Sequence, residues 1–95
     1  MYSEKKRDRI VAALEKLGYG DAVMVDWNRD GDLALNCEVW CGDDVGMVGD
    51  YYAYSDGGDS LYDDFGVKVK VAKLLDKLKA YAEWYNPAVL IVCDA

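Results

Sequence analysis

The chain has 95 residues, enough for one domain, and its 53% hydrophobic content with eight Tyr and three Trp excludes a disordered chain. Its formal charge is −7, and residues 21–65 hold twelve acids but one base, Arg29, so this segment alone carries −11. Such a field attracts cationic partners and disfavours direct binding of nucleic acid, which requires Lys and Arg facing the phosphates.

The first predicted element is an amphipathic helix. Ser3 is a typical N-cap residue with Glu4 in the first turn, and Gly18 ends the pattern. The apolar residues between them recur at helical spacing: Ile10, Val11, Leu14 and Leu17.

Three strands are predicted for the acidic centre. Residues 22–27 and 33–41 alternate between apolar and polar side chains, and residues 28–32 contain an Asp-Gly pair, which favours a hairpin turn. Residues 47–55 give a third strand. We therefore expect a three-stranded antiparallel meander.

The C-terminal third predicts a second helix that begins near residues 67–69, with apolar residues at helical spacing as far as Ala82, and then a short strand in residues 88–93. Asn86-Pro87 ends any helix, because the residue before proline disfavours the α region. Alternatively, residues 81–85 pair with residues 89–93 as a hairpin, and the helix ends near Lys79.

The predicted fold is a single α+β domain, residues 1–95. The order α-β-β-β-α-β gives a three- to four-stranded antiparallel sheet with two helices packed on one face. No apolar run reaches the length of a membrane span, and the charged first residues are not followed by the apolar stretch of a signal peptide. We therefore expect a cytoplasmic protein. The chain has an odd number of cysteines, Cys37, Cys41 and Cys93, which suits a reducing compartment. We expect these cysteines to be small buried hydrophobic residues without a chemical role.

Composition argues against catalysis. The chain has no His, Thr or Gln and only three Ser, so a Ser-His or Cys-His nucleophile pair cannot form, and we expect no enzyme. An acid-base mechanism would need a concave pocket lined by carboxylates. No cofactor or metal is predicted, although Asp26–Asp32 matches the start of a calcium loop; Cys37 stands where that loop needs a bidentate Glu, and a hairpin turn explains the same residues.

The preferred interpretation is a binding surface of carboxylates and aromatic anchors. Acids two residues apart on a strand project to one side about 6.5 to 7 Å apart, on the scale of backbone phosphates. Aromatic side chains anchor interfaces, and carboxylates meet Arg with bidentate geometry. The candidate residues are Asp30, Asp32, Asp43, Asp44, Asp56, Asp59, Asp63 and Asp64, with Trp40, Tyr52 and Tyr54 as anchors.

In layout and charge the chain resembles the small acidic anti-CRISPR and antirestriction proteins of phages and mobile elements, through the acidic segments Asp26–Glu38 and Asp43–Asp64. The resemblance includes no motif. It implies a non-catalytic inhibitor that imitates DNA and occupies the basic groove of a nuclease or another nucleic-acid-binding protein. The alternative is an accessory or structural domain whose acids only keep it soluble.

Overall fold

The computed structural model describes residues 3–25, 27, 32–52 and 61–95. Within these ranges the elements are α1 (Glu4–Lys16), β1 (Val23–Met24), β2 (Ala34–Asn36), α2 (Val69–Lys77), β3 (Ala80–Asn86) and β4 (Val89–Asp94). A short 3-10 turn, Gly20–Ala22, joins α1 to β1. The predicted α+β class is confirmed. None of the helices in the described ranges is long and apolar enough to cross a membrane.

The first helix forms as predicted. The hydroxyl of Ser3 accepts a hydrogen bond of 3.1 Å from the amide of Lys6, which is the expected N-cap. Ile10 and Leu14, one turn apart, are fully buried. The amphipathic spacing of this segment therefore directs one face of α1 into the core.

The four strands form one antiparallel sheet in the order β1-β2-β4-β3. The hairpin across Asn86-Pro87, given above as the alternative, is confirmed: β3 pairs with β4 from Ala80↔Asp94 onward. A second helix reaching Ala82 is therefore wrong. The helix ends at Lys77 because the chain reverses at Lys79, which adopts a φ of +59°.

The predicted third strand, residues 47–55, is wrong in its described part. Residues 47–52 contain one isolated bridge, Gly49↔Val67, and then a turn. Val48 is nevertheless fully buried, while Tyr51 and Tyr52 are both exposed. The position beside β2 belongs instead to β4, so the element order is α-β-β-α-β-β.

The first two predicted strands do pair as a hairpin, with Val23↔Leu35 and Met24↔Ala34 in register, but both are shorter than expected. The side-chain oxygen of Asn36 accepts a hydrogen bond of 3.0 Å from the amide of Glu38. This local turn ends β2 early, because it offers the backbone an alternative to the ladder. Of the predicted turn, residues 28–32, positions 28–31 lie outside the described residues.

The core lies between the sheet and both helices. Leu35 and Leu90 are register partners, so they share the sheet face that the helices cover. The fully buried large side chains are Ile10, Leu14, Leu33, Leu35, Val48, Val71, Leu75, Leu90 and Val92. The predicted burial of cysteine holds for Cys37, while Cys41 and Cys93 are half-buried, and all three thiols are free.

Candidate functional site: an acidic groove beside exposed aromatic side chains

Five of the eight predicted acids fall in the described part of the chain: Asp32, Asp43, Asp44, Asp63 and Asp64. Asp30, Asp56 and Asp59, together with the predicted anchor Tyr54, lie outside it. The five described acids occupy three places, namely the start of β2, a turn after β2, and the loop that precedes α2.

Asp43 and Asp44 lie at the tip of a tight turn. The carbonyl oxygen of Gly42 accepts hydrogen bonds from the amides of Val45 and Gly46, at 3.1 and 2.7 Å. The turn holds both carboxylates in solvent. Trp40 stands beside it with 60% of its surface exposed, and its ring lies against Gly46.

Asp63 has a structural role that the sequence did not reveal. One carboxylate oxygen accepts hydrogen bonds from the amides of Phe65 and Val67, at 2.9 and 3.0 Å. These two bonds fix the turn before α2, with Asp64 exposed at its tip. Phe65, the single phenylalanine of the chain, is consequently held with 76% of its surface exposed.

Aromatic side chains continue from this turn to the sheet. The ring of Tyr51 packs edge-on against both Tyr52 and Trp84, with centroids 5.3 Å apart in each pair. Trp84 in β3 donates a hydrogen bond of 2.6 Å from its indole nitrogen to the carbonyl oxygen of Phe65. Tyr52, a predicted anchor, is 69% exposed at the outer end of this row.

A groove of about 490 Å³ runs between α2 and β3, next to Phe65 and Trp84. Apolar side chains form its floor: Val67, Ala72, Leu75, Ala80 and Ala82. Three carboxylates line it, those of Asp63, Asp76 and Glu83, and none of the described lining residues is a base. We call this the acidic groove. A cationic group with an apolar portion matches both its charge and its lining.

The negative charge continues from the acidic groove onto the sheet face away from the helices. The pKa of the Cys93 thiol is raised chiefly by burial, and the nearby carboxylates of Glu83 and Asp32 raise it further. Tyr81, the register partner of Cys93, has its pKa raised by Cys93 first and then by Glu83. Asp32 therefore belongs to the same electrostatic neighbourhood as Glu83, although 51 sequence positions separate them.

One base interrupts the acidic surface. The ammonium group of Lys68 lies 4.7 Å from the ring centroid of Tyr62 and close to Gly46, between the Asp43 turn and the Asp63 turn. The three ion pairs between described residues involve α1 instead: Lys6 with Asp94, and Arg7 with Glu4 and Asp8. Asp43, Asp44 and Asp64 form no ion pair with a described residue.

The sequence prediction missed Asp76, Glu83, Phe65 and Trp84 as site residues. Asp76 is the one acid of α2, among Lys70, Lys73 and Lys77, and it faces the groove. Glu83 lines the groove only because residues 80–86 form a strand. The alternative hairpin of the sequence analysis was therefore the one prediction from which the position of Glu83 could have been inferred.

The calcium-loop alternative rests on residues 26–32, of which 26 and 28–31 lie outside the described residues. In the ranges that the structure describes, no group of three or more His, Cys, Asp or Glu residues is placed to hold a metal ion.

No protein-family model matches the chain, and comparison with curated proteins and with solved structures gives no match either.

Proposed function

We propose that this protein is a non-catalytic inhibitor that binds a basic, nucleic-acid-binding surface of a partner protein, such as a nuclease, by imitating the charge of DNA. The observation that carries the proposal is the combination of solvent-exposed carboxylates and aromatic rings in the described part of residues 32–65. Phe65, Tyr52 and Trp40 are 76%, 69% and 60% exposed; Asp64 precedes Phe65 in the chain, and Trp40 lies against the turn that exposes Asp43 and Asp44.

Exposed large aromatic side chains support binding, because their burial at an interface contributes much of the free energy of association. Tyr52 packs on Tyr51, Tyr51 packs on Trp84, and Trp84 bonds to the backbone of Phe65, and such a row of partly exposed rings is unusual on a surface that only needs to stay soluble. The carboxylates contribute differently. They raise the association rate with a basic partner and exclude acidic ones, while an Arg of the partner can form bidentate bonds to them.

The acidic groove supports the same proposal. Arginine combines a planar cation with an apolar stem, and it stacks on aromatic rings. The groove can contact both parts of an arginine side chain. Asp76 and Glu83 can pair with the guanidinium group, while Trp84 and the alanines of the floor can pack against the apolar stem. An arginine-bearing loop that normally contacts DNA phosphates is the kind of partner element that fits.

The experiment uses affinity capture followed by a defined competition assay. The immobilised protein is exposed to host lysate, retained proteins are identified, and each purified candidate nuclease is titrated with the inhibitor and with DNA. We expect the inhibitor and DNA to exclude each other, and the affinity to fall at least tenfold when the salt concentration rises from 50 to 500 mM.

The double variant Asp43→Asn/Asp44→Asn tests the acids, and Glu4→Gln/Asp8→Asn is its control. Both remove two exposed charges, but the control pair lies at the N-terminal end of α1, whereas the C-terminal end of that helix leads into the segment that contacts the Asp43 turn. We expect about a tenfold loss of affinity for the first variant, and less than a twofold loss for the control. Equal losses, or binding of the partner together with DNA, would contradict the mimicry.

The acidic groove also satisfies one condition for acid-base catalysis, since it is concave and lined by carboxylates. Two features favour binding over catalysis. The carboxylate of Asp63 is committed to two backbone amides, and the chain has no His to supply a base near neutral pH.

A further inference from the structure

A second concave site, of about 360 Å³, lies between the N-terminal end of α1 and the C-terminal end of α2. Five cationic side chains line it: Lys5, Lys6, Arg9, Lys77 and Lys79. None of the described lining residues is acidic or aromatic. We call this the basic pocket. Folding brings together two segments about 70 residues apart, so the concentration of positive charge is a product of the tertiary structure.

Lys6 has a structural role in the basic pocket. Its ammonium group donates a hydrogen bond of 2.7 Å to the carbonyl oxygen of Lys79 and pairs with the carboxylate of Asp94. These contacts join α1 to the connection between α2 and β3. The other four cations, Lys5, Arg9, Lys77 and Lys79, are exposed and form no ion pair with a described residue.

Lys79 occupies a backbone position that favours glycine. Its φ of +59° makes it the one described residue other than glycine with a positive φ, and it follows the end of α2, where glycine is the usual residue. A basic residue in the last turn stabilises the helix dipole, which explains Lys77. It does not explain a strained lysine at residue 79 in place of glycine, and a ligand contact made by the Lys79 side chain would offset the strain.

We propose that the basic pocket binds a small oligophosphate, a chain of two or three phosphoryl groups, through Lys5, Arg9, Lys77 and Lys79. Four cations around one depression favour a ligand with several negative charges, and phosphoryl oxygens accept charge-assisted hydrogen bonds from both ammonium and guanidinium groups. The volume lies within the range of small-ligand sites. The pocket shares no residue with the acidic groove, and this proposal is independent of the function proposed above.

The ligand is recognised through its phosphates and not through a nucleobase. The apolar contribution to the described lining is Leu78, and no aromatic ring is available for stacking. The net charge of −7 does not prevent binding, because charges more than about 8 Å away are largely screened at physiological ionic strength. Inorganic triphosphate and a nucleoside triphosphate should therefore bind with equal affinity.

Isothermal titration of the full chain with inorganic triphosphate at physiological ionic strength tests the proposal. We expect one site, and at least tenfold weaker binding of orthophosphate because it meets fewer cations. ATP should bind within twofold of triphosphate. No detectable binding, or ATP binding more than tenfold tighter than triphosphate, would overturn the assignment of a phosphate-only site.

Matched lysine variants show whether the pocket itself binds. Lys77→Gln and Lys79→Gln should each weaken triphosphate binding about fivefold. The controls Lys16→Gln and Lys73→Gln remove the same charge from exposed positions of α1 and α2 outside the pocket, and should change affinity less than twofold. Equal losses in all four variants would mean non-specific attraction and would overturn the site.

Lys79→Gly separates ligand binding from folding. It removes the same charge as Lys79→Gln and also relieves the backbone strain, so the affinity should fall about fivefold while Tm rises by about 4 °C. Lys79→Gln should weaken triphosphate binding to the same extent but should not raise Tm, because it keeps the strained backbone. A rise in Tm with unchanged affinity would show that Lys79 takes no part in binding.

Discussion

The indole nitrogen of Trp84 donates a hydrogen bond of 2.6 Å to the carbonyl oxygen of Phe65, and so ties the loop before α2 to the edge strand β3. The same ring packs edge-on against Tyr51. One side chain therefore joins the two segments that flank residues 53–60 to the sheet. The position of the exposed Phe65, and with it one wall of the acidic groove, depends on this contact.

Trp84→Phe should lower the free energy of unfolding by about 1 to 2 kcal/mol, because the hydrogen bond to Phe65 is lost and a cavity replaces part of the indole. Urea denaturation measures the change. Tyr85→Phe is the control: Tyr85 neighbours Trp84 on β3 and is 60% exposed, so removing its hydroxyl should cost less than 0.5 kcal/mol. Equal stability of Trp84→Phe and the unaltered protein would show that the bond does not hold the loop.

Gly66→Ala should be severely destabilising. Gly66 has a φ of +84°, and a Cβ there would lie 2.2 Å from the carbonyl oxygen of Asp50, which is backbone and cannot move aside. We expect a loss of about 3 kcal/mol or more. Gly42→Ala is the matched control, since Gly42 also has a positive φ, +123°, but nothing lies within 4 Å of an added Cβ.

The control should cost about 1 kcal/mol, the strain alone. Thermal and urea unfolding of the two variants measure the difference. If Gly66→Ala were no worse than Gly42→Ala, the close approach between the Gly66 and Asp50 backbones would be disproved.

Asp94→Asn should lower stability at neutral pH but not in acid. The hydrogen bond from Lys6 is the main cause that lowers the pKa of Asp94 below its ordinary value of 3.8. A carboxyl whose pKa is depressed by folding stabilises the protein above its unfolded pKa, and this contribution disappears as the pH falls through the folded value.

Urea unfolding at pH 7 and at progressively lower pH, down to below pH 3, measures the difference between Asp94→Asn and the unaltered chain. It should be present at pH 7 and vanish at the lowest pH. Asp8→Asn is the control, since Asp8 is 71% exposed and lies 3.7 Å from Arg7 in an i,i+1 pair, so its effect should be near zero throughout. A constant penalty for Asp94→Asn across this range would exclude the ion pair as its cause.

Cys37 should be the least reactive thiol of the native protein. Burial raises its pKa to about 12, so about one thiol in ten thousand is ionised at pH 8, and 5% of its surface is exposed. Cys41 and Cys93 are half-buried, and their pKa values are also raised by burial. Alkylation with iodoacetamide followed by peptide mass spectrometry should label Cys41 and Cys93 first.

In urea all three cysteines should react at similar rates, which is the internal control for this measurement. Early labelling of Cys37 in the native state would mean that β2 and the following turn open far more readily than a fully packed strand.

The elements that depend on neighbours in the chain could be predicted from the sequence. Ser3 caps α1, and the spacing of Ile10 and Leu14 selects its buried face, because both effects act within a few residues. Because the residue before proline disfavours the α region, Asn86-Pro87 predicted either the end of a helix or a turn between two strands at this position. The choice between the two required knowledge of whether residues 80–86 had a partner strand.

Pairing partners and concave sites were decided by the tertiary structure alone. Residues 47–52 were predicted to begin a third strand, but the place beside β2 is occupied by β4, so that segment buries Val48 without a ladder. A side chain can be buried wherever it packs against the core, whereas a ladder requires a second backbone alongside. The sequence by itself determined the α+β class, α1 and the concentration of acids. Only folding brought Glu83 and Asp32 within electrostatic reach of Cys93, and Lys5 and Lys79 into one pocket, because long-range contacts leave no periodic signal in the chain.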